Sequence, residues 1–244
     1  MREFQLQMKK GVIYLSIPSF ENNDIINGFS SRITKGVETN KLLEALNLNG
    51  KLYALKQVHG KKVIVIDNED DINGQEKAEG DGLVTGRKGI VLSMYSADCP
   101  VLFLFDPVKR VVGLGHAGWR GTVKGIGLEL VKAMNNFYQC REENILAGIS
   151  PAIGSCCYEV GEEVIQGTAR ILDNDFSCCE EKTGGKWMLD LKEVNSRVLE
   201  KAGIQKNNIA VSKLCTFCNS SLFYSYRRSG GSTGRMMSVI SLGD

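Results

Sequence analysis

Residues 96–121 read SADCPVLFLFDPVKRVVGLGHAGWRG, and this stretch decides how the middle of the chain folds. Two apolar runs, residues 101–105 and 111–115, flank a short polar segment that begins with Asp106 and Pro107. An Asp-Pro pair followed by charged residues is typical of a turn. The two runs are therefore predicted to form an antiparallel hairpin.

The register of this hairpin brings a thiol and an imidazole together. If Phe105 pairs with Val111, Pro100 lies opposite His116 and Cys99 lies one position further out. Residues that face each other across an antiparallel pair have Cβ atoms about 5 Å apart. Cys99 and His116 are therefore predicted to lie within several ångströms of each other, at the open end of the hairpin.

The chain has one other histidine, His59, which ends another strand-like run and is followed by a glycine. Loops at strand ends often carry binding or catalytic residues. Two imidazoles and one thiolate suit zinc, with a fourth position left open as in catalytic sites. The residues leave alternatives open: a Cys99 nucleophile activated by His116, a blue-copper centre with Met94 as axial ligand, or unrelated core residues. Nothing in the spacing brings His59 to the other two.

Composition sets the class of protein. The 244 residues carry a formal charge of +2 and are 43% hydrophobic and 24% charged, which is ordinary for a soluble globular protein. Near-neutral charge gives no reason to expect nucleic acid or a membrane surface as a partner. The N-terminal apolar stretch is too short for a signal peptide, and Asp98 and Pro100 interrupt the longest apolar run. We expect a cytoplasmic protein with reduced thiols and, since no linker is recognisable, one domain over residues 1–244.

Hydrophobic periodicity predicts a mixture of strands and helices without regular alternation, which is typical of an α+β fold. The predicted strands cover residues 12–17, 52–56, 62–66, 90–95, 101–105, 111–115, 144–149 and 237–241. The predicted helices cover residues 41–48, 121–137, 161–172 and 191–202.

Gly113, Gly115 and Gly118 match the pattern G-x-G-x-x-G, which makes a dinucleotide-binding oxidoreductase an alternative class. Two features speak against it: the preceding strand is half of a hairpin, and the strand at residues 144–149 ends without an acidic residue for a ribose. The turn is still a candidate anion site, because Arg120 and the start of the following helix would both stabilise a phosphate. The alternative is a surface arginine with glycines that permit close packing.

The remaining cysteines include two adjacent pairs, Cys156-Cys157 and Cys178-Cys179, and one C-x-x-C, Cys215 to Cys218. A closed zinc site usually uses two C-x-x-C units, and here there is one. We therefore expect separate buried thiols, with a second metal site as the lesser alternative.

A basic, hydroxyl-rich and glycine-rich stretch covers residues 223–235, and a similar one covers residues 30–35. Arg227 and Arg228 are candidates to hold a phosphate or carboxylate, and Tyr224 or Tyr226 to stack on a base. The alternative is a mobile surface loop.

Taken together, the motifs resemble the family long called multicopper polyphenol oxidases or laccase-domain proteins, now described as multifunctional purine nucleoside enzymes. The resemblance runs from about Gly28 to the C-terminus. After Arg32 this chain has Ile-Thr-Lys-Gly where the family usually has a Gly-Gly turn. The motifs are QVHG (57–60), DGLVT (81–85), SADCP (96–100), GHAGWRG (115–121), residues 148–154 with YEVG (158–161), and YRR (226–228) with TGR (233–235).

The resemblance implies two mixed β-sheets packed together and flanked by helices, in α/β/β/α layers like those of a bacterial deamidase toxin. It implies zinc held by His59, Cys99 and His116, phosphorolysis of adenosine, inosine and methylthioadenosine, and deamination of adenosine. A purine nucleoside and phosphate would then be the partners, and Asp81 or Asp98 the proton shuttle. The substrate-binding candidates are Arg32, Arg120, Tyr226 and Arg227.

The number of histidines in the chain argues against the oxidase activity that the older family name implies. A multicopper oxidase needs a trinuclear copper cluster and hence many more imidazoles than the two in this chain. Copper in a preparation would reflect its high affinity for nitrogen and sulfur ligands. Another branch of the family edits peptidoglycan precursors by hydrolysis, which fits the Cys–His alternative. We expect a monomer or a weak homodimer.

Overall fold

The strands are arranged in two large sheets and one small one, in a computed structural model that describes residues 3–21, 23–32, 39–67 and 78–243. The strands are β1 (Gln5–Lys9), β2 (Val12–Ser16), β3 (Ile25–Ser30), β4 (Lys51–Ala54), β5 (Val63–Val65), β6 (Gly82–Thr85), β7 (Ile90–Ser96), β8 (Val101–Asp106), β9 (Val111–His116), β10 (Leu146–Ile149), β11 (Glu159–Val160), β12 (Cys179–Lys182), β13 (Lys186–Leu189), β14 (Ile209–Val211) and β15 (Met236–Leu242). The helices are α1 (Pro18–Glu21), α2 (Thr39–Leu46), α3 (Trp119–Lys124), α4 (Ile126–Tyr138), α5 (Glu162–Ile171), α6 (Leu191–Lys201) and α7 (Tyr226–Ser229).

Both large sheets are mixed. The first has the strand order β1-β2-β3-β15-β7-β4 and the second β14-β10-β8-β9-β6-β5. Three neighbouring pairs are parallel, namely β4 with β7, β5 with β6 and β10 with β14. A third sheet, β11-β13-β12, was not predicted, because its short strands lack the apolar alternation that marks a half-buried strand.

The layers follow from the two faces of β8. Phe103 and Phe105 pack in the core between the large sheets, whereas Leu102 and Leu104 face α4 and α6 on the other side. All six residues of β8 are buried because both faces are covered. Helix α2 covers the outer face of the first sheet, where Leu42 and its neighbours pack on the strands. The α+β fold with two packed mixed sheets between helices is thereby confirmed.

The central hairpin forms, but its register differs by one residue from the prediction. Val101 lies opposite His116, and Asp106 pairs with Val111. The shift arises because Asp106 itself ends the strand, and its Oδ1 accepts hydrogen bonds from the amides of Val108 at 2.8 Å and Lys109 at 3.0 Å. Cys99 still lies at the open end of the hairpin, beside His116.

The predicted helix over residues 121–137 is wrong in one respect, because it is two helices, α3 and α4. Gly125 separates them with φ +87°, a left-handed conformation that glycine adopts without strain. Phe137, the penultimate residue of α4, is 68% exposed. Among the described residues, no helix is long and apolar enough to cross a membrane.

Candidate metal centre and substrate cavity

Three side chains from distant parts of the chain meet at the end of the central hairpin. The candidate ligand atoms of His59, Cys99 and His116 all lie within 4.8 Å of one another. The two imidazole rings are edge to face, with centroids 4.8 Å apart. His116 is the last residue of β9, Cys99 precedes β8, and His59 lies in the loop after β4.

Asp81 is the residue that brings His59 to the hairpin. Its fully buried carboxylate accepts hydrogen bonds from the amides of Val58 at 3.2 Å, His59 at 3.1 Å and Gly60 at 2.7 Å. The same carboxylate lies 2.9 Å from His116 Nδ1. An ionised carboxylate only accepts, so Nδ1 carries a proton, and Nε2 is the nitrogen that would bind a metal in the neutral imidazole.

This positioning of Asp81 is a role that the sequence analysis missed. Asp81 directly precedes β6, and β6 pairs antiparallel with β9, so that the amide of His116 donates to the carbonyl of Asp81 at 2.8 Å. That pairing joins residues far apart in the chain, and no local pattern signals it. The carboxylate lies behind His116 rather than among the residues that line the neighbouring cavity.

The electrostatics of the cluster favour a charged pair, in which the Cys99 thiol is ionised and the His116 imidazole is protonated. Burial raises the pKa of the Cys99 thiol, but hydrogen bonds from His116 and His59 outweigh it and lower that pKa to about 6. Burial lowers the pKa of His116, but its hydrogen bonds with Asp81 and Cys99 raise it to about 9. Burial raises the pKa of Asp81, yet the hydrogen bonds from His116 and Gly60 leave it below its usual value.

Gly118 leaves room at the centre of this cluster. A Cβ at this position would lie 2.9 Å from Cys99 Sγ and 3.3 Å from His59 Cδ2. Gly115, in turn, lets α4 approach β9, because a Cβ there would lie 2.3 Å from Leu130 Cδ1. Two glycines of the G-x-G-x-x-G match, Gly115 and Gly118, therefore serve close packing. All three lie in or after an antiparallel strand rather than in a parallel dinucleotide-binding unit.

The cluster opens onto a cavity of about 610 Å³, a size typical of small-molecule sites. Arg120, Tyr226 and Arg227, three of the four substrate-binding candidates, line it, as do Asp98 and the cluster residues. The Arg120 guanidinium lies 4.3 Å over the Trp119 ring. The remaining lining includes the aromatic and aliphatic side chains of Tyr95, Trp119, Ile153, Tyr158 and Leu191.

Asp98 connects the cavity to the C-terminal segment. Its carboxylate accepts hydrogen bonds from Thr216 Oγ1 at 2.6 Å, Ser225 Oγ at 2.9 Å and the amide of Arg227 at 2.8 Å. Its φ of +87° is a strained conformation for a residue other than glycine. Arg227 is also held by its guanidinium, which donates to the carbonyl of Glu159 at 3.0 Å.

Arg32 and Arg228 lie outside the cavity lining. The Arg32 guanidinium donates to the carbonyl of Ser220 at 2.9 Å and lies 5.1 Å from the Tyr224 ring centroid. Arg228 donates to three backbone carbonyls, those of Thr216, Phe217 and Phe223, so that its guanidinium serves the fold. The rest of the N-terminal basic stretch and the Ile-Thr-Lys-Gly departure, residues 33–36, lie outside the described residues.

Two other expectations about sulfur ligands need correction. Met94, the axial ligand of the blue-copper alternative, is fully buried in the core between the large sheets and lies outside the cavity lining. The expectation of separate buried thiols is wrong for four of the cysteines. Cys156, Cys157, Cys215 and Cys218 have their sulfur atoms within 4.8 Å of one another.

Comparisons with known proteins agree with this fold. The purine nucleoside phosphorylase YlmD of Bacillus subtilis (strain 168) is 41% identical over 162 residues, which are 66% of this chain and 58% of that protein. The adenosine deaminase RL5, from an unknown prokaryotic organism, is 34% identical over 237 residues, covering 93% of this chain and 86% of that protein. The crystal structure of YlmD from Geobacillus stearothermophilus superposes with a TM-score of 0.89 at 29% identity, covering 98% of this chain and 99% of that one.

The match spans less than two thirds of the Bacillus subtilis relative's own length. The model of one family, described as multi-copper polyphenol oxidoreductase laccase, matches residues 33–243. This match covers most of the sequence and includes all three cluster residues, and the chain therefore belongs to that family.

Proposed function

We propose that the chain is a zinc-dependent purine nucleoside phosphorylase that acts on adenosine, inosine and methylthioadenosine and also deaminates adenosine. One observation carries the proposal: His59, Cys99 and His116 open onto a cavity whose lining also holds Arg120 and Arg227. The names of the relatives, a purine nucleoside phosphorylase and an adenosine deaminase, support the two activities.

The donor set fits zinc. Two imidazoles and a thiol offer ligand atoms within 4.8 Å of one another, and Gly118 keeps side-chain atoms out of the space between them. A zinc ion with three protein ligands keeps a position for water or substrate and acts there as a Lewis acid. Copper would also bind such a set in vitro, but the histidine count speaks against oxidase chemistry.

The cavity wall offers complementary groups for a nucleoside and phosphate. Arg120 and Arg227 both line the cavity, and a guanidinium group binds phosphate oxygens in a forked geometry. Tyr158, Tyr226 and Trp119 supply aromatic faces on which a purine can stack. In phosphorolysis a phosphate oxygen forms the bond to C1′ of the ribose as the bond to the base breaks, and the leaving base takes up a proton.

The two carboxylates then have different roles. Asp81 accepts four hydrogen bonds behind His116, and its lowered pKa makes it a poor proton donor, so we assign it the positioning of the two histidines. Asp98 lines the cavity, and of the two it is the candidate for proton transfer to the leaving base or at C6. It also holds the Arg227 amide, which fixes α7 beside the site.

A second candidate function uses the same atoms without a metal. The lowered pKa of Cys99 beside the charged His116 describes a thiolate–imidazolium pair, which is the resting state of a cysteine hydrolase. The peptidoglycan-editing hydrolase is therefore the second candidate function. That enzyme would release an amino acid from a muramyl-nucleotide substrate, and its rate would not depend on phosphate.

Steady-state kinetics with inosine and varied phosphate test the assignment of the arginines. Arg120→Ala and Arg227→Ala should each raise KM for phosphate by about 10-fold, because each removes a charged partner of the anion. Arg170→Ala is the matched control, since Arg170 is exposed on α5, outside the cavity lining, and its guanidinium donates to the carbonyl of Gln166 in the same helix. Equal KM values for phosphate in all three variants would contradict the assignment.

A further inference from the structure

Four of the cysteines form a second cluster beside the cavity, and we propose that it is a structural zinc site of four thiolates. The sulfur atoms of Cys156, Cys157, Cys215 and Cys218 lie within 4.8 Å of one another. Cys218 Sγ lies 3.6 Å from Cys156 Sγ and 3.4 Å from Cys157 Sγ. Tetrahedral zinc with Zn–S bonds of about 2.3 Å requires sulfur atoms about 3.8 Å apart, a value inside this range.

The sheet topology explains how two distant segments meet. Strands β10 and β14 are parallel neighbours, and Ile149 pairs with Val211 at their carboxyl ends. The loops that follow therefore leave the same edge side by side. They stay together through a bridge between Ala152 and Cys215, in which the amide of Thr216 donates to the carbonyl of Ala152 at 2.9 Å.

Each loop then turns so that its thiols face the other loop. The amides of Cys157 and Tyr158 both donate to the carbonyl of Gly154, at 2.9 and 3.0 Å, and this turn directs two adjacent cysteines toward Cys218. The amide of Gly154 donates to Cys215 Sγ at 3.2 Å. Amide hydrogen bonds to sulfur stabilise a thiolate and orient it, as outer-shell partners of metal ligands do.

A positive charge near the cluster also suits a zinc ion with four thiolate ligands. Four thiolates around Zn²⁺ leave two negative charges uncompensated. Lys192 is 5% exposed, and its ammonium donates to the carbonyls of Ser212 at 2.6 Å and Leu214 at 3.2 Å, next to Cys215. A buried cation near Cys215 and Cys156 favours the charged, thiolate form of these ligands.

Other uses of the four thiols fit less well. A disulfide joins two sulfur atoms at about 2.05 Å and leaves the other pair idle, whereas Cys218 is almost equally distant from two partners. An iron–sulfur cluster places several irons and sulfides between its thiolates and so needs a wider spacing than this one. A single zinc ion uses all four thiols, whose sulfur atoms lie within 4.8 Å of one another.

The cluster is placed to hold Asp98, a residue of the cavity lining, in position. The amide of Ile153 donates to the carbonyl of Asp98 at 2.9 Å, and Thr216 Oγ1 donates to its carboxylate at 2.6 Å. Both residues lie in the two loops that the cysteines would join, and Asp98 directly precedes Cys99. The second zinc would thus act on folding and positioning, and it would remain even if the proposed catalytic activity proved wrong.

Metal counting by mass spectrometry tests the site on the full chain, purified anaerobically with reductant and without chelator. Wild type should hold about two zinc ions per chain, and Cys156→Ser/Cys218→Ser about one. The variant His59→Ala/His116→Ala should also hold about one, by losing the other ion. Cys178→Ser/Cys179→Ser, the adjacent pair outside the cluster, is the matched control and should keep both ions.

A cobalt titration of metal-free His59→Ala/His116→Ala gives a second readout that needs no change at the four cysteines. The expected result is one equivalent of tightly bound Co²⁺ with intense sulfur-to-metal charge-transfer absorption, typical of tetrahedral thiolate sites. The absence of that absorption would overturn the proposal. So would a wild-type zinc content that the Cys156→Ser/Cys218→Ser change leaves unaltered, or a disulfide at Cys218 in the protein isolated with reductant.

Discussion

At the scale of single residues, the lack of a Cβ at Gly118 leaves room for a metal ion between the candidate ligands. Its backbone, with φ −60° and ψ 161°, is open to any residue, so only the crowding at Cys99 Sγ and His59 requires glycine. Gly118→Ala should therefore fold normally and bind metal about 10-fold or more weakly, since ligand placement sets metal affinity. Zinc affinity measured by competition with a chromophoric chelator checks this.

The control for Gly118→Ala is Gly161→Ala. Gly161 also precedes a helix in extended conformation, with φ −97° and ψ 176°, and a Cβ there would meet nothing within 4 Å. This variant should keep wild-type zinc affinity. Equal affinities in the two alanine variants would show that the space beside Cys99 is unimportant.

Asp81 is a second residue whose role is testable apart from activity. Asp81→Asn keeps the shape but removes the charge that holds His116 Nδ1–H and the amides of the His59 loop. We expect zinc affinity to fall about 10- to 100-fold, as for other carboxylates that hydrogen-bond a metal-binding histidine, with altered His116 imidazole resonances in NMR spectra. Asp106→Asn is the control: Asp106 is equally buried but caps the hairpin turn, so that this change should affect stability and leave zinc affinity unchanged.

At the scale of elements, the contact between β9 and α4 depends on Gly115. A Cβ would lie 2.3 Å from Leu130 Cδ1, so Gly115→Ala should lower the free energy of unfolding by ~1–3 kcal/mol through overpacking. Gly113→Ala, in the same strand, makes ordinary contacts of 3.5 Å or more and is the matched control. Urea unfolding measures both, and the Leu130→Ala change should relieve part of the cost in the Gly115→Ala background.

The same elements show how far sequence reasoning reaches. The hairpin of β8 and β9 could be predicted because turn chemistry and two apolar runs are local signals, and this placed Cys99 beside His116. His59 and the four clustered cysteines could not be placed, because their positions depend on β6 pairing with β9 and β10 pairing with β14. Such pairings join distant segments and leave no local signature.

At the scale of the whole molecule, the two ends of the described chain contribute unequally to the first sheet. β15 lies between β3 and β7, and all seven of its residues are buried, whereas β1 is an edge strand with mostly half-buried or exposed residues. Deletion of residues 236–244 should abolish folding, because the lost burial exceeds a total stability of about 5–15 kcal/mol. Circular dichroism checks whether the shortened chain is folded.

Deletion of residues 1–9 is the control and should leave a folded protein with a lowered Tm. Equal tolerance of both deletions would contradict the sheet order.

The function proposed for the whole molecule is phosphorolysis in the cavity beside the candidate metal ligands. The most direct measurement is the product balance of inosine with and without phosphate, for the zinc-loaded wild type and for Cys99→Ala. We expect hypoxanthine and ribose 1-phosphate in equal amounts and no base release without phosphate. In Cys99→Ala we expect the zinc at this site and the activity both to be lost. Hypoxanthine released equally without phosphate, or full activity in folded Cys99→Ala, would contradict the proposed function.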